Sequence, residues 1–538
     1  MPAELPTDIV FNQSPPFENI NLASQDLPLM ACAAAMGNGE DLVTFGAEWG
    51  AADQFALGRL ANENPPILHT HDAQGRRCDM VEFHPAYHTL MAQSMSAGLH
   101  CSSWEIAGGP AHGRRAAHLY LVSQVEAGHV CPLTMTHAAP AALAAAPHLL
   151  RDWLPRIRSR SYDGRFLPFW EKASVTIGMG MTEKQGGTDV RANITRAEPV
   201  AGDEYAITGH KWFFSAPMSD AFLVLAQAPR GLTCFLMPRF RPDGSVNAIH
   251  LVRLKRKLGN RANASSEVEF DRAFAWRVGE EGRGIRTIIE MVQRTRLDCA
   301  VSSAGVMRIA LSLALHHARH RTVFQKRLVD QPAMTMVLAD LALEAEAATA
   351  LTLRLACSFD THQGEEGARA RLLTPAVKFA VCKAAPGFVF EAMEALGGNG
   401  YVEDGMLPRL YREAPVNAIW EGSGNVMALD LLRATAHEPD SLQQVLAELK
   451  KEAAGLPGAD AAAEEIAALV RGSAAEAHAR RACHLLATLA ATAALVQTAP
   501  AAIAETFART RLKAPRALFG ANDVAPVAAL LLDRALAS

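Results

Sequence analysis

EYAITGHKWFFSAP (residues 204–217) begins the stretch that decides the fold, and four further runs follow it: AFLVLAQA (221–228), GLTCFLMPRF (231–240), AIHLVRLKRKLG (248–259) and SSEVEFDRAFAW (265–276). Hydrophobic residues alternate with polar ones in these runs, and Gly, Pro, Asn and Asp separate them. Such runs without helical interruption predict a compact antiparallel sheet or barrel rather than βαβ units. A Rossmann fold is disfavoured, because no G-x-G-x-x-G follows a strand.

The segments on either side of this stretch have helical patterns. Residues 1–171 are rich in Ala, Leu, Met and His and predict helices joined by loops, after an irregular arm of about 30 residues. From residue 283 the helical period returns and continues to the end of the chain. We predict a multidomain α+β protein with an N-terminal helical domain (1–171), a β domain (172–282), a C-terminal helical bundle (283–437) and an additional helical domain (438–538).

The composition is that of an ordinary globular protein. The 538 residues are 49% hydrophobic and 20% charged with a net charge of −4, which excludes a globally basic nucleic-acid coat. Nine cysteines without a C-x-x-C pair favour a reducing compartment over a disulfide framework. The first ten residues lack the pattern of a signal peptide, and the longest apolar stretch, 485–496, is too short to span a membrane. We expect a cytoplasmic protein that uses no membrane.

The first candidate binding element is the loop G-M-G-M-T-E-K-Q-G-G-T-D, residues 178–189. Its small residues and double glycine let backbone amides approach a flat or anionic ligand closely. Taken alone, however, the loop favours a plain strand-to-loop connection. The second candidate is the aromatic strand 210–216, where adjacent side chains point to opposite faces. One of Phe213 and Phe214 is expected against a cofactor ring and the other in the core, although an aromatic strand is more often entirely core.

The third candidate is A-I-W-E-G-S-G-N (418–425), which leads directly into a predicted helix. Glu421 lies beside Trp420, and a carboxylate against apolar surface gains proton affinity, which suits general-base chemistry. A helix-terminal acid favoured by the macrodipole is the equal alternative. Two further segments are weaker candidates for a binding site. Arg321, at the end of a predicted helix, either holds a phosphate or caps the helix. Residues 396–401 form a tight turn that either ends a helix or lets the backbone approach a cofactor.

Two histidine pairs have a spacing that metal ligands use, His316 with His320 and His69 with His71. Neither pair is accompanied by a carboxylate or cysteine at a matching spacing. We therefore predict no metal site.

Taken together, these elements resemble the acyl-CoA dehydrogenase family. That family carries an M-T-E-x-x-x-G-S-D loop, a K-x-W-x-[TS] strand, an R-x-x-F-G-x-x-L helix end, a G-G-N-G turn and an E-G-[TS] helix start. The corresponding residues here are 181–189, 211–215, 321–328, 397–400 and 421–423. The resemblance covers residues 60–437 and agrees with the order of helices, sheet and helices.

The resemblance implies FAD in a pocket formed by the sheet and the C-terminal helices. The implied ligands in the sheet domain are Met179, Met181, Thr182, Gly187, Thr188, Phe213, Phe214 and Ser215. Among them, Thr182 and Ser215 are implied to bond the flavin, and Phe213 to lie against it. The implied ligands on the helical side are Arg321, Phe324, Glu394, Gly398, Trp420, Gly422, Ser423 and Asn425. The first four of these are implied to reach the adenosine half from a neighbouring subunit, so a homotetramer is implied.

The resemblance also implies the chemistry. Glu421 matches the base that removes the α-proton of an acyl-CoA thioester while the flavin accepts the β-hydride. Some relatives carry this base on an earlier helix, where the present chain has Thr295. Three residues depart from the family pattern. Gln293 stands where many members have Asp, which bears on CoA-ester recognition. Gln325 and Glu394 replace a usual Gly and Gln among the subunit-crossing FAD contacts.

More narrowly, residues 10–22, residues 56–68 and the C-terminal extension resemble the branch of the family that acts in the adaptive response to DNA alkylation. This implies non-specific binding of duplex DNA, with weak or unknown dehydrogenase activity on an isovaleryl-CoA-like thioester. The extension is not basic, since residues 441–538 carry ten Lys and Arg against nine acids. The predicted DNA contacts are Arg433, Arg509, Arg511, Lys513 and Arg516, for which a solvated helix face is the alternative.

Two other functions stay open. The first is a metabolic acyl-CoA dehydrogenase that passes electrons to an electron-transfer flavoprotein and has no DNA role. The second is a flavin-free structural DNA-binding protein.

Overall fold

The structure is a computed structural model that describes residues 9–37, 39–105, 109–361 and 363–537. The chain forms two compact units. The helical unit comprises residues 1–54, 116–124 and 299–538, and the sheet unit comprises residues 55–115 and 125–298. The additional C-terminal segment 438–538 thus belongs to the helical unit.

The regular elements follow the predicted order of helices, sheet and helices. The helices are α1 (Leu27–Met36), α2 (Gly39–Trp49), α3 (Ala52–Glu63), α4 (Pro85–Ser96), α5 (Ala111–Val125), α6 (Val130–Leu143), α7 (Pro147–Ile157), α8 (Gly284–His320), α9 (Pro332–Cys357), α10 (Gly364–Ala395), α11 (Gly398–Tyr401), α12 (Leu407–Glu413), α13 (Gly424–His437), α14 (Pro439–Glu452), α15 (Ala459–Arg471), α16 (Ala475–Thr498), α17 (Ala501–Phe507) and α18 (Ala528–Ala535). The strands are β1 (Ile67–His71), β2 (Arg77–Glu82), β3 (Ile177–Gly180), β4 (Arg196–Ala201), β5 (Glu204–Ser215), β6 (Ala221–Ala228), β7 (Gly231–Pro238), β8 (Ile249–Leu254), β9 (Ser265–Val278), β10 (Thr322–Val323) and β11 (Lys326–Arg327).

Strands β3 to β9 form one seven-stranded sheet in the order β3-β6-β4-β5-β9-β7, with β8 paired to β9. Because β6 pairs with both β4 and β7, five of the strands close into a ring. The expected antiparallel pairing is confirmed in the main ladders and is wrong at two places, where β3 and β4 run parallel to β6. The chain leaves β3 and passes through β4 and β5 before it forms β6, and such a crossover is what a parallel pair requires.

The sheet core explains which residues of β5 are buried. Phe214 is fully buried and its ring lies 4.1 Å from that of Phe222. Lys211, three residues earlier, is also buried, although strict alternation would point it to the opposite face. The pairing of β5 with β9 shifts register between Lys211 and Phe214, so a bulge turns both side chains inward and leaves Phe213 outside.

Two hairpins were not predicted. The sheet unit contains the antiparallel pair β1–β2 in a region that reads as helical, because its strands are too short to show a period. The helical unit contains the two-residue strands β10 and β11, joined by Phe324 and Gln325, which both adopt positive φ (50° and 64°).

Within the described part of the chain, two helices, α8 and α10, are long and apolar enough to cross a membrane by length and composition. Their most apolar windows are 89% and 72% buried inside the protein. Burial of this kind is typical of core helices.

Candidate active site

The loop that follows β3 is held by backbone and side-chain bonds rather than left as a loose connection. The Trp212 backbone N–H donates to the Thr182 carbonyl at 2.8 Å. The Asn193 side-chain amide donates to the Met181 carbonyl at 3.1 Å. Met181 and Thr182 are half-buried, whereas Gly187 and Thr188 are exposed. The loop therefore presents backbone and small side chains on a fixed frame.

The foundation of the loop is a buried ion pair. The Lys211 ammonium lies 2.8 Å from the Glu183 carboxylate, and both side chains are fully buried. Glu183 also accepts the backbone N–H groups of Ile194 (2.7 Å) and Thr195 (3.2 Å). Glu183 belongs to the loop motif and Lys211 to the strand motif, and their role here is to anchor the loop, since neither reaches solvent.

The pKa values of the pair reflect this environment. Burial by itself would raise the pKa of Glu183, but the charge and hydrogen bond of Lys211 outweigh it and hold the value at about 2. Burial lowers the pKa of Lys211 to about 8, against the opposing effect of Glu183. Both groups are mainly ionised at neutral pH, so the loop is built on a buried ion pair.

Gly187 is required by its surroundings. A Cβ at this position would lie 2.4 Å from the Thr182 hydroxyl oxygen and 3.0 Å from its methyl group. The preceding Gly186 adopts φ of +146°, a conformation that L-residues rarely take. The double glycine therefore allows the backbone to fold against Thr182.

The aromatic strand carries one outward-facing ring. Phe213 is 51% exposed, which is unusual for an aromatic residue beside a buried neighbour. Phe214, implied by the resemblance as a cofactor ligand, is fully buried in the sheet core because the bulge turns its ring inward. Ser215 is half-buried, with its hydroxyl 3.2 Å from that of Ser265. Met179, on β3, is only 7% exposed.

A flat ring with polar edges fits these residues of the sheet unit. The exposed face of Phe213 offers a stacking surface, and Thr182 and Ser215 offer hydroxyl groups that donate or accept. The buried Asn193 carbonyl oxygen has no hydrogen-bond partner among the described residues. The donor set and the exposed ring agree with the chemistry of a flavin.

The helical unit holds Glu421 in a rare backbone conformation. Glu421 has φ of 57° and Gly422 has φ of 107°, immediately before α13 begins. Trp420 donates its indole N–H to the Asn417 side chain at 2.8 Å, and Asn417 donates to the Ser303 hydroxyl at 3.1 Å. Glu421 is half-buried. The segment thus presents a carboxylate from a bend that is braced on its N-terminal side.

The residues after this bend lie at the start of α13. Ser423 and Asn425 are exposed, and the side-chain amide oxygen of Asn425 accepts a hydrogen bond from Arg480 of α16 at 2.9 Å. The Arg480 guanidinium also lies over the Phe379 ring at 5.5 Å. Arg480 was missed from the sequence, because 55 residues separate it from Asn425 and no local pattern connects them.

The residues that the resemblance implies for adenosine binding all lie in the helical unit. The Arg321 guanidinium donates to the Asn12 carbonyl at 2.7 Å. Phe324, at the tip of the β10–β11 hairpin, is 91% exposed. Glu394 and Gly398 are exposed at the end of α10 and the start of α11. Phe324, Glu394 and Gly398 are thus at the surface of the helical unit, whereas Arg321 is half-buried, and Gln325 is accommodated in the left-handed turn.

Three of the five predicted DNA contacts form ion pairs within the protein. Arg511 is 7% exposed and is paired with Asp340 and Glu344, so its assignment as a DNA contact is wrong. Arg516 pairs with Glu344 at 3.3 Å and Arg509 pairs with Asp523 at 2.5 Å. The two remaining candidates, Arg433 and Lys513, are exposed.

The other residues singled out are mostly in structural roles. The His316 imidazole lies 2.8 Å from the Pro15 carbonyl, and His69 pairs with Glu82 at 2.9 Å. Among the described residues, no group of three or more His, Cys, Asp or Glu is arranged to hold a metal ion. Thr295 donates to the carbonyl of Val292 within α8. The histidine pairs and Thr295 are therefore bonded within the protein.

A buried polar triad of the sheet unit went unnoticed in the sequence. The Ser94 hydroxyl lies 2.9 Å from His129 Nε2, and His129 Nδ1 lies 2.7 Å from Glu126. Burial raises the pKa of a lone carboxyl, but the His129 side chain and backbone hold the pKa of Glu126 at about 2. All three side chains are buried, so the triad is not a nucleophile accessible to substrate.

Gln293 is the departure with an unusual environment. Its side chain is 8% exposed, and both amide atoms lack a hydrogen-bond partner among the described residues. A buried amide without partners costs free energy, so a bound molecule or water is expected to satisfy it.

Comparison with known proteins gives consistent matches along the chain. The adaptive response protein AidB N-terminal domain matches residues 12–164, the acyl-CoA dehydrogenase middle domain matches 178–273, and the acyl-CoA dehydrogenase C-terminal domain matches 282–436. AidB of Escherichia coli (strain K12) is 51% identical over 453 residues, which is 82% of this chain and 84% of that protein.

Two comparisons with Caenorhabditis elegans proteins agree. Acyl-CoA dehydrogenase family member 11 is 34% identical over 400 residues, which is 70% of this chain and 63% of that protein. The crystal structure of ACDH-11 in complex with C11-CoA matches with a TM-score of 0.85 at 27% identity, covering 96% of this chain and 95% of that one. The protein studied here belongs to the acyl-CoA dehydrogenase family, and its N-terminal domain is of the AidB type.

Proposed function

We propose that the protein is an FAD-dependent oxidoreductase that removes the α and β hydrogens of an acyl-CoA thioester. The observation that carries this proposal is Glu421, a half-buried carboxylate in the left-handed region at the start of α13. The acyl-CoA dehydrogenase family carries its base at this position of the motif. A carboxylate that a fold holds in a costly conformation is a candidate for a chemical role.

FAD, when bound, supplies the acceptor for the β-hydride. In the sheet unit, Phe213 would lie against the flavin, and Met181, Thr182 and Ser215 would contact its polar edge. Gly187 and Thr188 would lie toward the pyrophosphate. In the helical unit, Trp420 and Gly422 would flank the flavin side, and Ser423 and Asn425 would contact the adenosine side. Glu421 removes the α-proton, and it must be ionised to do so.

The visible spectrum of the purified full-length protein is the first test. A flavin spectrum, with FAD released on denaturation, is expected. Protein that is colourless and does not take up added FAD would refute the proposal. Titration with straight and branched acyl-CoAs under anaerobic conditions then identifies the substrate class, because the bound flavin bleaches when a thioester is oxidised.

We propose a CoA thioester as the substrate. A relative of the same fold was crystallised with C11-CoA, and this supports an acyl-CoA ligand for the present chain. If bleaching is fast and an electron-transfer flavoprotein reoxidises the protein, the metabolic alternative is favoured. Slow bleaching with every thioester, isovaleryl-CoA included, favours the weak activity that we expect of an AidB-like protein.

We further propose a role in the response to DNA alkylation through non-specific binding of duplex DNA. Arg433 and Lys513 are the exposed cations among the predicted contacts, and they support this second function. Binding that depends on phosphate contacts falls linearly in log affinity with log salt. Arg433→Ala and Lys513→Ala should each weaken binding to any duplex and reduce the salt slope by about one. Affinity that depends on neither salt nor these residues would refute the proposal.

We propose a homotetramer and a cytoplasmic location on two observations. Phe324 is 91% exposed at a hairpin tip, and the family resemblance places this ring against the FAD of a neighbouring subunit. All nine cysteines are free thiols, and seven of them are buried, which agrees with a reducing compartment. Light scattering of the wild type and of Phe324→Asp tests the assembly, because the charge should dissociate it.

A further inference from the structure

Lys378 is a buried cation whose bonds converge on one short segment. It lies on α10, its side chain is 1% exposed, and its ammonium donates to the Trp420 carbonyl at 2.9 Å. The same ammonium donates to the Gly422 carbonyl through a second, shorter bond. The two acceptors flank Glu421 on either side in the chain.

These two bonds fix the backbone around Glu421. The φ of Glu421 is 57°, and a residue other than glycine takes this left-handed conformation only when its surroundings impose it. The Trp420 carbonyl belongs to the peptide that enters Glu421, and the Gly422 carbonyl belongs to the peptide that follows Gly422. One ammonium thus anchors the backbone on both sides of Glu421 and restricts the conformations open to it.

The chemistry of lysine suits this geometry. An ammonium is compact and tetrahedral with three donors, so it can serve two carbonyls that diverge around one residue. A buried ammonium is costly unless its hydrogen bonds are made. Lys378 precedes Glu421 by 43 positions and lies on a separate element, so the bonds also tie the bend before α13 to α10.

We propose that Lys378 is a positioning residue for the base, holding the Glu421 carboxylate in the orientation that proton removal needs. The proposal rests on the proposed function of Glu421. The rate of proton removal depends on where the base lies, and a displacement of the reacting groups by about 1 Å can lower the rate about 100-fold. Lys378 itself does not take part in proton transfer.

The first test is the rate of flavin bleaching in single-turnover reactions. Lys378→Met, which keeps the length of the side chain and removes its donors, is expected to slow bleaching by about 10- to 100-fold. The dissociation constant of the acyl-CoA should remain close to that of the wild type, and each rate is measured on the FAD-loaded fraction, because Lys378 also holds two residues placed beside the flavin. Lys378→Arg, which keeps donors at that place, should recover part of the rate. In the Glu421→Gln background, the same Lys378→Met change should have no further effect, because its effect acts through the carboxylate.

Lys172→Met is the matched control. Lys172 is another buried lysine, paired with Asp220 at 2.7 Å in the sheet unit, and it is not part of the proposed machinery. Its loss should reduce stability without slowing bleaching in the folded fraction. If Lys378→Met slows bleaching no more than Lys172→Met does, or slows it equally in the Glu421→Gln background, the proposal is overturned.

A crystal structure of Lys378→Met gives a readout that does not depend on activity. Glu421 should leave the left-handed region, and a Glu421 that keeps φ near 57° contradicts the proposal. The two failures are distinguishable. Wild-type protein that bleaches with no thioester refutes the dehydrogenase function, and the crystal structure still decides whether Lys378 orients Glu421.

Discussion

Lys211→Met tests the claim that a buried ion pair supports the cofactor loop. The substitution removes the ammonium and keeps a side chain of similar length, so Glu183 is left as a buried carboxylate without its cation. Both side chains are fully buried, so water cannot replace the lost partner. Removing one member of such a pair costs about 3–5 kcal/mol. We expect Lys211→Met to lower the free energy of unfolding by that amount.

A second substitution should restore the stability that Lys211→Met loses. Glu183→Gln keeps the acceptor for Ile194 and removes the charge, so the double variant Lys211→Met, Glu183→Gln should recover most of the stability. The stabilisation from Glu183 is fully present above pH 4.5 and is lost as the pH falls toward 2, because its pKa in the folded protein is about 2. Without Lys211, its pKa should rise.

Denaturant unfolding at neutral pH, followed by fluorescence, measures these differences, and the FAD dissociation constant is measured in parallel. Arg59→Met is the control, because Arg59 and Glu63 form an exposed pair that is worth about 0.2–1 kcal/mol. FAD affinity should fall in Lys211→Met and return in the double variant. A Lys211→Met protein as stable as Arg59→Met, or a double variant less stable than Lys211→Met, would refute the reasoning.

Three further predictions separate residues that look alike in the sequence. Phe214→Ala should cost about 3–5 kcal/mol in the sheet core, whereas Phe213→Ala should leave stability nearly unchanged and weaken FAD binding about 2- to 10-fold. Arg511→Ala should destabilise the helical unit by about 3–5 kcal/mol, since it leaves the buried Asp340 carboxylate without its cation; Lys513→Ala should change stability by less than about 0.5 kcal/mol. Burial lowers the pKa of His100 from 6.5 to about 4, so stability is lost as the pH falls through this window. His100→Gln should remove about 2 kcal/mol of the loss between about pH 7 and pH 5.

Each of these has a contrary result. Equal loss of stability in the two phenylalanine variants would mean that Phe213 is also core. A stable Arg511→Ala protein with weaker DNA binding would return Arg511 to the DNA surface. For His100, the exposed His148 provides the control His148→Gln, and the same pH dependence in both variants would show that His100 does not cause it.

The sequence predicted the parts of the molecule that depend on local pattern. Period-two runs identify β5 to β9, and alternation identifies one outward and one inward residue in the pair Phe213 and Phe214. The pattern did not predict which of them is buried, because a bulge between β5 and β9 decides the facing of both. The parallel pairing of β3 with β6 is set by a crossover through intervening strands, which no window of sequence contains.

The missed features of the site are long-range contacts. Arg511 reads as one cation in a basic cluster, yet its partner Asp340 lies 171 residues earlier in the chain. Glu183 and Lys211 belong to two separate motifs, and nothing in either motif indicates that the two residues pair with each other. Arg480 and Lys378 stand in helices whose sequences carry no sign of the segment they contact. Hydrophobic periodicity predicts only which face of an element is buried. The partners of buried charges therefore have to be read from the three-dimensional structure.

The central claim is that Glu421 acts as the base of an FAD-dependent dehydrogenation. Its most direct measurement is the rate of flavin bleaching in wild-type protein and in Glu421→Gln, each loaded with FAD and mixed anaerobically with an acyl-CoA panel. The account predicts that wild-type protein bleaches with at least one thioester, whereas Glu421→Gln binds the same thioester and FAD but bleaches at least about 100-fold more slowly. Equal rates in the two proteins would contradict it.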